Sequence, residues 1–204
     1  MGFVLNAYDK CVANANIDGS QCTIVFYVVD NKISHKNEKV LTKIINKLEE
    51  HFGKLEVSRG REHDFLGMRI KFVGNEVYIS MKDYLREAID MFPELTNMKI
   101  TWPAKKDLNE IDNKAEKLTK NKRELYHSIV TKLLWVMKRG RPDIETAIAF
   151  LCTRVKKPDV DDWEKLKRLL CSLNKTINDV RVIGANSMDI CIHGLTQVLQ
   201  YMTI

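Results

Sequence analysis

The hydrophobic pattern changes its period along the chain. From Cys22 to Val29 β-branched and aromatic residues run almost unbroken, which predicts a strand buried on both faces. Asp18-Gly19 just before it is a turn dipeptide, so Asp9 to Asn14 predicts the partner strand of a hairpin. Asp30-Asn31 punctuates the run, and Lys32-Ile33-Ser34 predicts a short return strand. The period then becomes helical. Val40, Leu41, Ile44, Ile45, Leu48 and Phe52 predict one amphipathic helix from Glu38 to Phe52, closed by Gly53. Two strands follow, Asp64 to Val73 and Glu76 to Ser80, joined across Gly74-Asn75. Ser80-Met81-Lys82-Asp83 has the form of a capping box opening a helix to about Phe92.

Pro93 to Asn121 holds the turn-forming segment Trp102-Pro103-Ala104-Lys105-Lys106-Asp107 and reads as a connector. Beyond it, helical spacing returns near Lys122–Arg139, Asp143–Arg154 and Val160–Leu173, with Pro142 and Pro158 as breaks. Trp135 and Trp163 fall on helical positions expected in the core, while Trp102 lies in the connector. The pattern predicts an α+β chain in which a small mixed unit (1–92) and a connector (93–121) precede a helical unit (122–190), with residues 191–204 left as a tail.

With 204 residues, 45% hydrophobic and 29% charged, the chain has the balance of a globular protein. No stretch approaches the ~18 apolar residues of a membrane span. No basic region precedes the apolar start, and a cytoplasmic or nuclear protein is expected, not a secreted one. Cys11, Cys22, Cys152, Cys171 and Cys191 are odd in number and widely spaced. They predict buried free thiols, neither a disulfide framework nor a zinc site. Charge is uneven. Lys120 to Lys175 carries fourteen Lys/Arg against seven Asp/Glu, whereas the rest of the chain is close to neutral. A basic helical segment suits a polyanion such as a phosphate backbone. Lys138, Arg139, Arg141, Arg154, Lys156, Lys157, Lys167 and Arg168 are its candidate phosphate contacts, and Arg141 can also pair with Asp143 at a helix start.

Phe26-Tyr27-Val28-Val29-Asp30 places a carboxylate after a buried strand, at a tight hairpin where oxygens can face a cleft. Two-metal phosphoryl transfer needs that geometry, because Mg²⁺ takes hard oxygen ligands. The neighbouring motifs raise the weight of this segment. Gly2-Phe3, Asn6, Asp9-x-Cys11-Val12, Tyr27-Val28-Val29-Asp30, Phe65-Leu66-Gly67-Met68 and Tyr84-Leu85 occur in order. Pro103-Ala104, Tyr126-His127-Ser128-Ile129-Val130, Lys132-Leu133-Leu134, Arg141-Pro142-Asp143-Ile144 and Trp163-x-x-Leu166-Lys167-Arg168-Leu169-Leu170 complete the series. From Gly2 to about Gly184 this order resembles the reverse transcriptases of copia-type LTR retrotransposons.

That resemblance implies a partial polymerase palm, an antiparallel sheet with packed helices, followed by a helical thumb that tracks an RNA/DNA template–primer duplex. It implies Mg²⁺ held by the paired carboxylates of Tyr-Val-Asp-Asp, and a primer-grip hairpin at Phe65, Leu66, Gly67 and Met68. Here Tyr27, Val28 and Asp30 match, but Val29 stands in the place of the first aspartate and can ligate no metal. The fingers and the palm motif that supplies a further aspartate would precede Gly2. The expectation is therefore a chain that keeps nucleic-acid contacts without polymerising. The face of the Cys22–Val29 sheet left bare by the fingers is expected to be apolar and to invite self-association, and a domesticated, non-enzymatic interaction module is the alternative. The tail also departs from the family. Back-translated and shifted by one base, Gly194 to Ile204 spells Trp-Val-Asp-Ala-Ser-Phe-Ala-Val-His-Asp-Asp, which resembles the start of the ribonuclease H domain. A frameshift at or just before His193 is expected.

Overall fold

The computed structural model describes residues 2–28, 30–93, 100 and 102–184. Position 29 and the tail from 185 onward lie outside the described residues, and with them the expectations placed on Val29 and on 191–204. The architecture is α+β, with two antiparallel four-stranded sheets and a set of packed helices.

The first sheet has the order β1 (Val4–Leu5), β2 (Val12–Ile17), β3 (Ser20–Tyr27), β4 (Asp30–Ser34). Asp18 and Gly19 take φ of 51° and 73°, so the β2–β3 connection uses the left-handed conformations that a two-residue hairpin needs. Helix α1 (Glu38–Phe52) lies on one face of this sheet. Its start is capped by the Asn37 side chain, which accepts from the Lys39 N–H at 3.0 Å, and Gly53 ends it at φ 82°. Cys22, Val40 and Ile44 form the buried centre of this layer, with Phe3, Ile17, Ile24, Ile33 and Leu48 packed around them.

Helix α1 covers one side of β3, while the other side meets a helix at its Tyr27 end and is open along Thr23, so the expectation of a strand buried on both faces is corrected. Partners across an antiparallel ladder share a face. Cys22 and Ile24, with Ile33 opposite, point to α1. Thr23, Val25 and Tyr27, with Ser34, Lys32 and Asp30 opposite, point away. The open part of that second face is polar. The Asn14 side-chain oxygen accepts from Thr23 Oγ1 at 2.7 Å and from Gln21 Nε2 at 3.1 Å. The expected apolar face is absent there, because these amides and hydroxyls satisfy one another. Exposed apolar residues gather instead at one edge and end of the sheet, at Val4, Leu5, Tyr8, Tyr27 and Val28.

The second sheet runs β5 (Glu62–Phe65), β6 (Met68–Val73), β7 (Glu76–Ser80), β8 (Arg181–Gly184). The stretch expected as one strand from Asp64 to Val73 is a hairpin folded at Leu66-Gly67. Helix α2 (Lys82–Asp90) follows, but its cap Met81 makes no side-chain hydrogen bond. The Ser80 hydroxyl reaches only Lys82 N, at 3.4 Å, so the expected capping box is not formed.

Helices α3 (Lys120–Arg139), α4 (Glu145–Arg154) and α5 (Val160–Lys175) form the larger core with α2, and a 3-10 turn at Pro142–Ile144 leads into α4. Leu85, Ala88 and Ile89 of α2, with Phe92 just beyond it, bury against Ile129, Leu133, Ile148, Leu166 and Leu169. Trp163 stacks on Phe92 with ring centroids 4.5 Å apart, as a core tryptophan should. Tyr126 is fully buried and donates its hydroxyl to the Leu151 carbonyl at 3.1 Å. The last helix does not end the described chain. It returns as β8 to pair with β7, so the segment expected as wholly helical closes the second sheet. Among the described residues no helix is long and apolar enough to cross a membrane.

Candidate functional site

Tyr27 and Asp30 pair across the end of the β3–β4 hairpin, and Asp30 is exposed as the first residue of β4. Val28 takes φ of 53° and is 90% exposed. A β-branched side chain is strained there by roughly 1–2 kcal/mol, and strain of this kind gathers at functional turns. Tyr27, Asp30 and Lys32 share one sheet face. Lys32 Nζ donates to Ser34 Oγ at 2.9 Å and sits 5.8 Å from the centre of the Phe72 ring. Burial pushes its ammonium pKa down.

The β5–β6 hairpin folds at Leu66 (φ 56°) and Gly67 (φ 75°), between paired Phe65 and Met68. A Cβ on Gly67 would stand 3.1 Å from the Tyr84 ring, so both conformation and space require glycine. All four residues of the Phe65–Met68 motif thus belong to one tight hairpin beside α2.

Trp135 of α3 ties the two hairpins together. Its indole N–H donates to the Leu66 carbonyl at 3.2 Å, and its ring centroid lies 5.9 Å from that of Tyr27. Arg139, one turn further along α3, lays its guanidinium carbon 3.2 Å from the centre of the Trp135 ring. The Arg139 carbonyl in turn accepts from Arg181 Nη1 of β8 at 3.2 Å. Trp135 is therefore a joint and not the core residue expected from its helical position. The signal was available in the sequence as a Trp and an Arg four residues apart on one helix. Burial lowers the Arg139 pKa, and the nearby Tyr27 and Tyr84 oppose that shift.

The basic residues singled out from the sequence divide into two groups. Arg141, only 6% exposed, donates Nε and Nη2 to the two Asp143 carboxylate oxygens at 2.8 Å and two further bonds to Thr176. Arg154 is held by Asp159 and Asp162. These two arginines hold helices together, and their charge is answered internally. Lys167 lies 3.9 Å from Glu164. Arg168 keeps a buried Nε with no partner among the described residues and lines a cleft of about 340 Å³ with Pro103, Leu108 and Lys165. Lys138, Lys156 and Lys157 are exposed, and Arg139 is half-buried. None of these four has a carboxylate partner among the described residues.

Within the first sheet the other two carboxylates, Asp9 and Asp18, lie away from Asp30. The Asp9 side chain accepts from the Cys11 N–H at 2.8 Å and closes the β1–β2 turn. That turn is two strands away from β4, roughly 10 Å by sheet spacing. Asp18 lies in the turn at the other end of β3, roughly 23 Å away at the rise of a strand. Mg²⁺ needs oxygen ligands at about 2.0–2.1 Å, and the described residues contain no group of three or more potential ligands. Cys22 and Cys171 are buried as expected, but Cys11 is exposed.

No family model matches the sequence. No solved structure matches it either. Among the proteins similar to it are these two. One is an uncharacterised mitochondrial protein of Arabidopsis thaliana, 26% identical over 80% of this chain and 66% of its own length. The other is the retrovirus-related Pol polyprotein from transposon TNT 1-94 of Nicotiana tabacum, 22% identical over 80% of this chain. The chain spans just under two thirds of the first relative and 13% of the second. The second similarity is consistent with a region of a copia-type transposon Pol polyprotein, the class that the motifs from Gly2 to about Gly184 resemble.

Proposed function

We propose that this chain is a reverse-transcriptase remnant, part palm and part thumb, that holds a nucleic-acid backbone and does not polymerise. The observation that carries the reading is the hairpin at Asp30. It has the form that presents metal-binding carboxylates, yet Val29 fills the neighbouring position in the sequence, and Asp9 of the same sheet is engaged in its own turn. A single carboxylate cannot balance two divalent ions against a triphosphate. Mg²⁺ therefore enters no step of this reading. The hairpin at Phe65–Met68 lies against the Tyr27 hairpin through Trp135, as a primer grip beside a polymerase site would.

Binding rests on the charges left over from internal pairing. Lys138, Arg139, Lys156 and Lys157 are four such groups, fewer than the composition suggested. Each phosphate contact adds about −0.9 to the log–log dependence of affinity on salt. A duplex titration is expected to give a slope between about −2 and −4. A flat response would remove the nucleic-acid reading and favour a protein-interaction module. A primed template supplied with Mg²⁺ or Mn²⁺ is expected to show no extension. Extension by the unaltered chain would overturn the inactive assignment.

A further inference from the structure

Asp161, Glu164, Lys165 and Arg168 recur at three- and four-residue steps, so they share one face of α5. Across the cleft of about 340 Å³ that face meets the segment from Pro103 to Leu108. The segment is held at both ends. Leu108 is buried in the helical core, and its N–H closes a turn on the Lys105 carbonyl at 3.2 Å. Lys165 ties the far end, donating Nζ to the Glu110 carbonyl at 2.6 Å. The cleft between them has an apolar wall of Pro103, Ala104 and Leu108 and room for about ten non-hydrogen atoms.

Most charges around the cleft are answered. Lys165 lies 2.8 Å from Asp161, and its ammonium sits 4.8 Å from the centre of the Phe150 ring. Glu164 faces Lys167 at 3.9 Å. Lys105 and Asp107 are exposed and of opposite sign. Arg168 differs. It has neither a carboxylate nor a carbonyl partner among the described residues, and its Nε is buried. A charged N–H in that position has given up water without gaining an acceptor, which native structures seldom tolerate without a use for it.

We propose that this cleft binds a small monocarboxylate with an apolar body, its carboxylate held side-on by Arg168 and its body against Pro103, Ala104 and Leu108. The inference goes beyond the nucleic-acid reading and does not depend on it. A guanidinium is a planar fork, and its Nε–H and adjoining Nη–H each meet one oxygen of a carboxylate. One unanswered positive charge balances one negative charge. A dianion would leave a charge over, beside the carboxylates of Asp161 and Glu164. A backbone phosphodiester carries a sugar on either side, too much for a cleft of this size. An apolar wall with a single convergent polar group is the usual make-up of a small-molecule site.

The test titrates the full chain, labelled with ¹⁵N, with phenylacetate, with its neutral isostere phenylacetamide, and with diethyl phosphate. Salt is kept at about 0.15 M to screen exposed charges, and the Arg168 Nε–H resonance reports binding. Phenylacetate is expected to shift that resonance and to bind about 10- to 150-fold tighter than the amide. Diethyl phosphate is expected to bind more weakly than phenylacetate. Arg168→Met should abolish the preference for the carboxylate over the amide, and Arg168→Lys should keep only part of it. Lys43→Met, which removes one exposed cation elsewhere, should leave it unchanged. No binding of phenylacetate, or equal binding of acid and amide, overturns the proposal on the native chain alone, whatever the fate of the variants. Diethyl phosphate binding as tightly as phenylacetate also overturns it, as does a preference that survives Arg168→Met.

Discussion

Arg154→Met removes the cation from a nearly dry cluster and leaves its carboxylates behind. In the native chain Arg154 Nε lies 3.0 and 3.1 Å from the two oxygens of Asp162, and Nη2 lies 3.1 Å from Asp159. The side chains of Asp159 and Asp162 are each 2% exposed, against 18% for Arg154. Asp159 would still have Lys117 at 2.9 Å, whereas Asp162 would keep only backbone N–H support. Breaking one partner out of a buried pair costs about 3–5 kcal/mol. For a chain of this size that lowers Tm by about 6–20 °C. The loss should also depend on pH. Burial, the largest influence, already raises the Asp162 pKa, and Arg154 is among the groups holding it down. Without Arg154 it rises further. A carboxyl with a raised folded pKa contributes its stability in full below the ordinary value of about 3.9, and loses it as pH climbs through the folded value. The deficit relative to the native chain should therefore be largest near neutrality and shrink on acidification. Urea unfolding of both proteins at several pH values measures it. A deficit under about 1 kcal/mol at pH 7, or one that grows in acid, would refute the reasoning. Asp161→Ala is the internal contrast. Its bridge to Lys165 is 42% exposed on the Asp161 side, and its loss should cost about 1 kcal/mol or less.

Gly140→Ala should destabilise by about 1–3 kcal/mol, since the new Cβ would stand 2.8 Å from Met81 Cγ. Thermal unfolding reads the effect, and Met81→Ala in the same chain should recover part of it; an unchanged Tm would show that the α3–α2 approach is looser than described. Val28→Asn should stabilise by roughly 0.5–1 kcal/mol, because asparagine tolerates the left-handed conformation that valine resists. A destabilised variant would mean that the Val28 side chain makes a contact worth more than the strain.

The elements legible in the sequence are those that carry their own signal. Helix α1 has both ends marked, by Asn37 and Gly53, and its bounds coincide with the expected ones. Helices α3, α4 and α5 lie within two residues of their expected positions, because Pro142 and Pro158 separate them and helical spacing is strong between. Turns inside apolar stretches were harder to see. Phe65-Leu66-Gly67-Met68 stays hydrophobic through the fold of the hairpin, so periodicity carried one strand across it. Strand β8 is four residues long and pairs with β7 about a hundred residues earlier, which no local pattern can announce. The polar face of the first sheet was hidden for a related reason. Asn14 and Thr23 look unremarkable singly, and only the register places them opposite each other.

The site shows the same division between local and assembled information. A count of Lys and Arg from Lys120 to Lys175 measures charge but not availability. Arg141 and Arg154 each face carboxylates, and the capping box of α5 places Asp162 where Arg154 reaches it. Arg141-x-Asp143 could be paired on paper because its partner is two residues away. The Arg154 pairs needed the turn between α4 and α5 to close first. What remains is a smaller set of free cations and one guanidinium laid on Trp135. That residue does for the hairpins what Arg154 does for the helices, fixing elements that belong to separate sheets. An exposed tyrosine set against Trp135 and a strained valine beside it meet at the tip of that hairpin, where strain of this kind points to a role beyond packing.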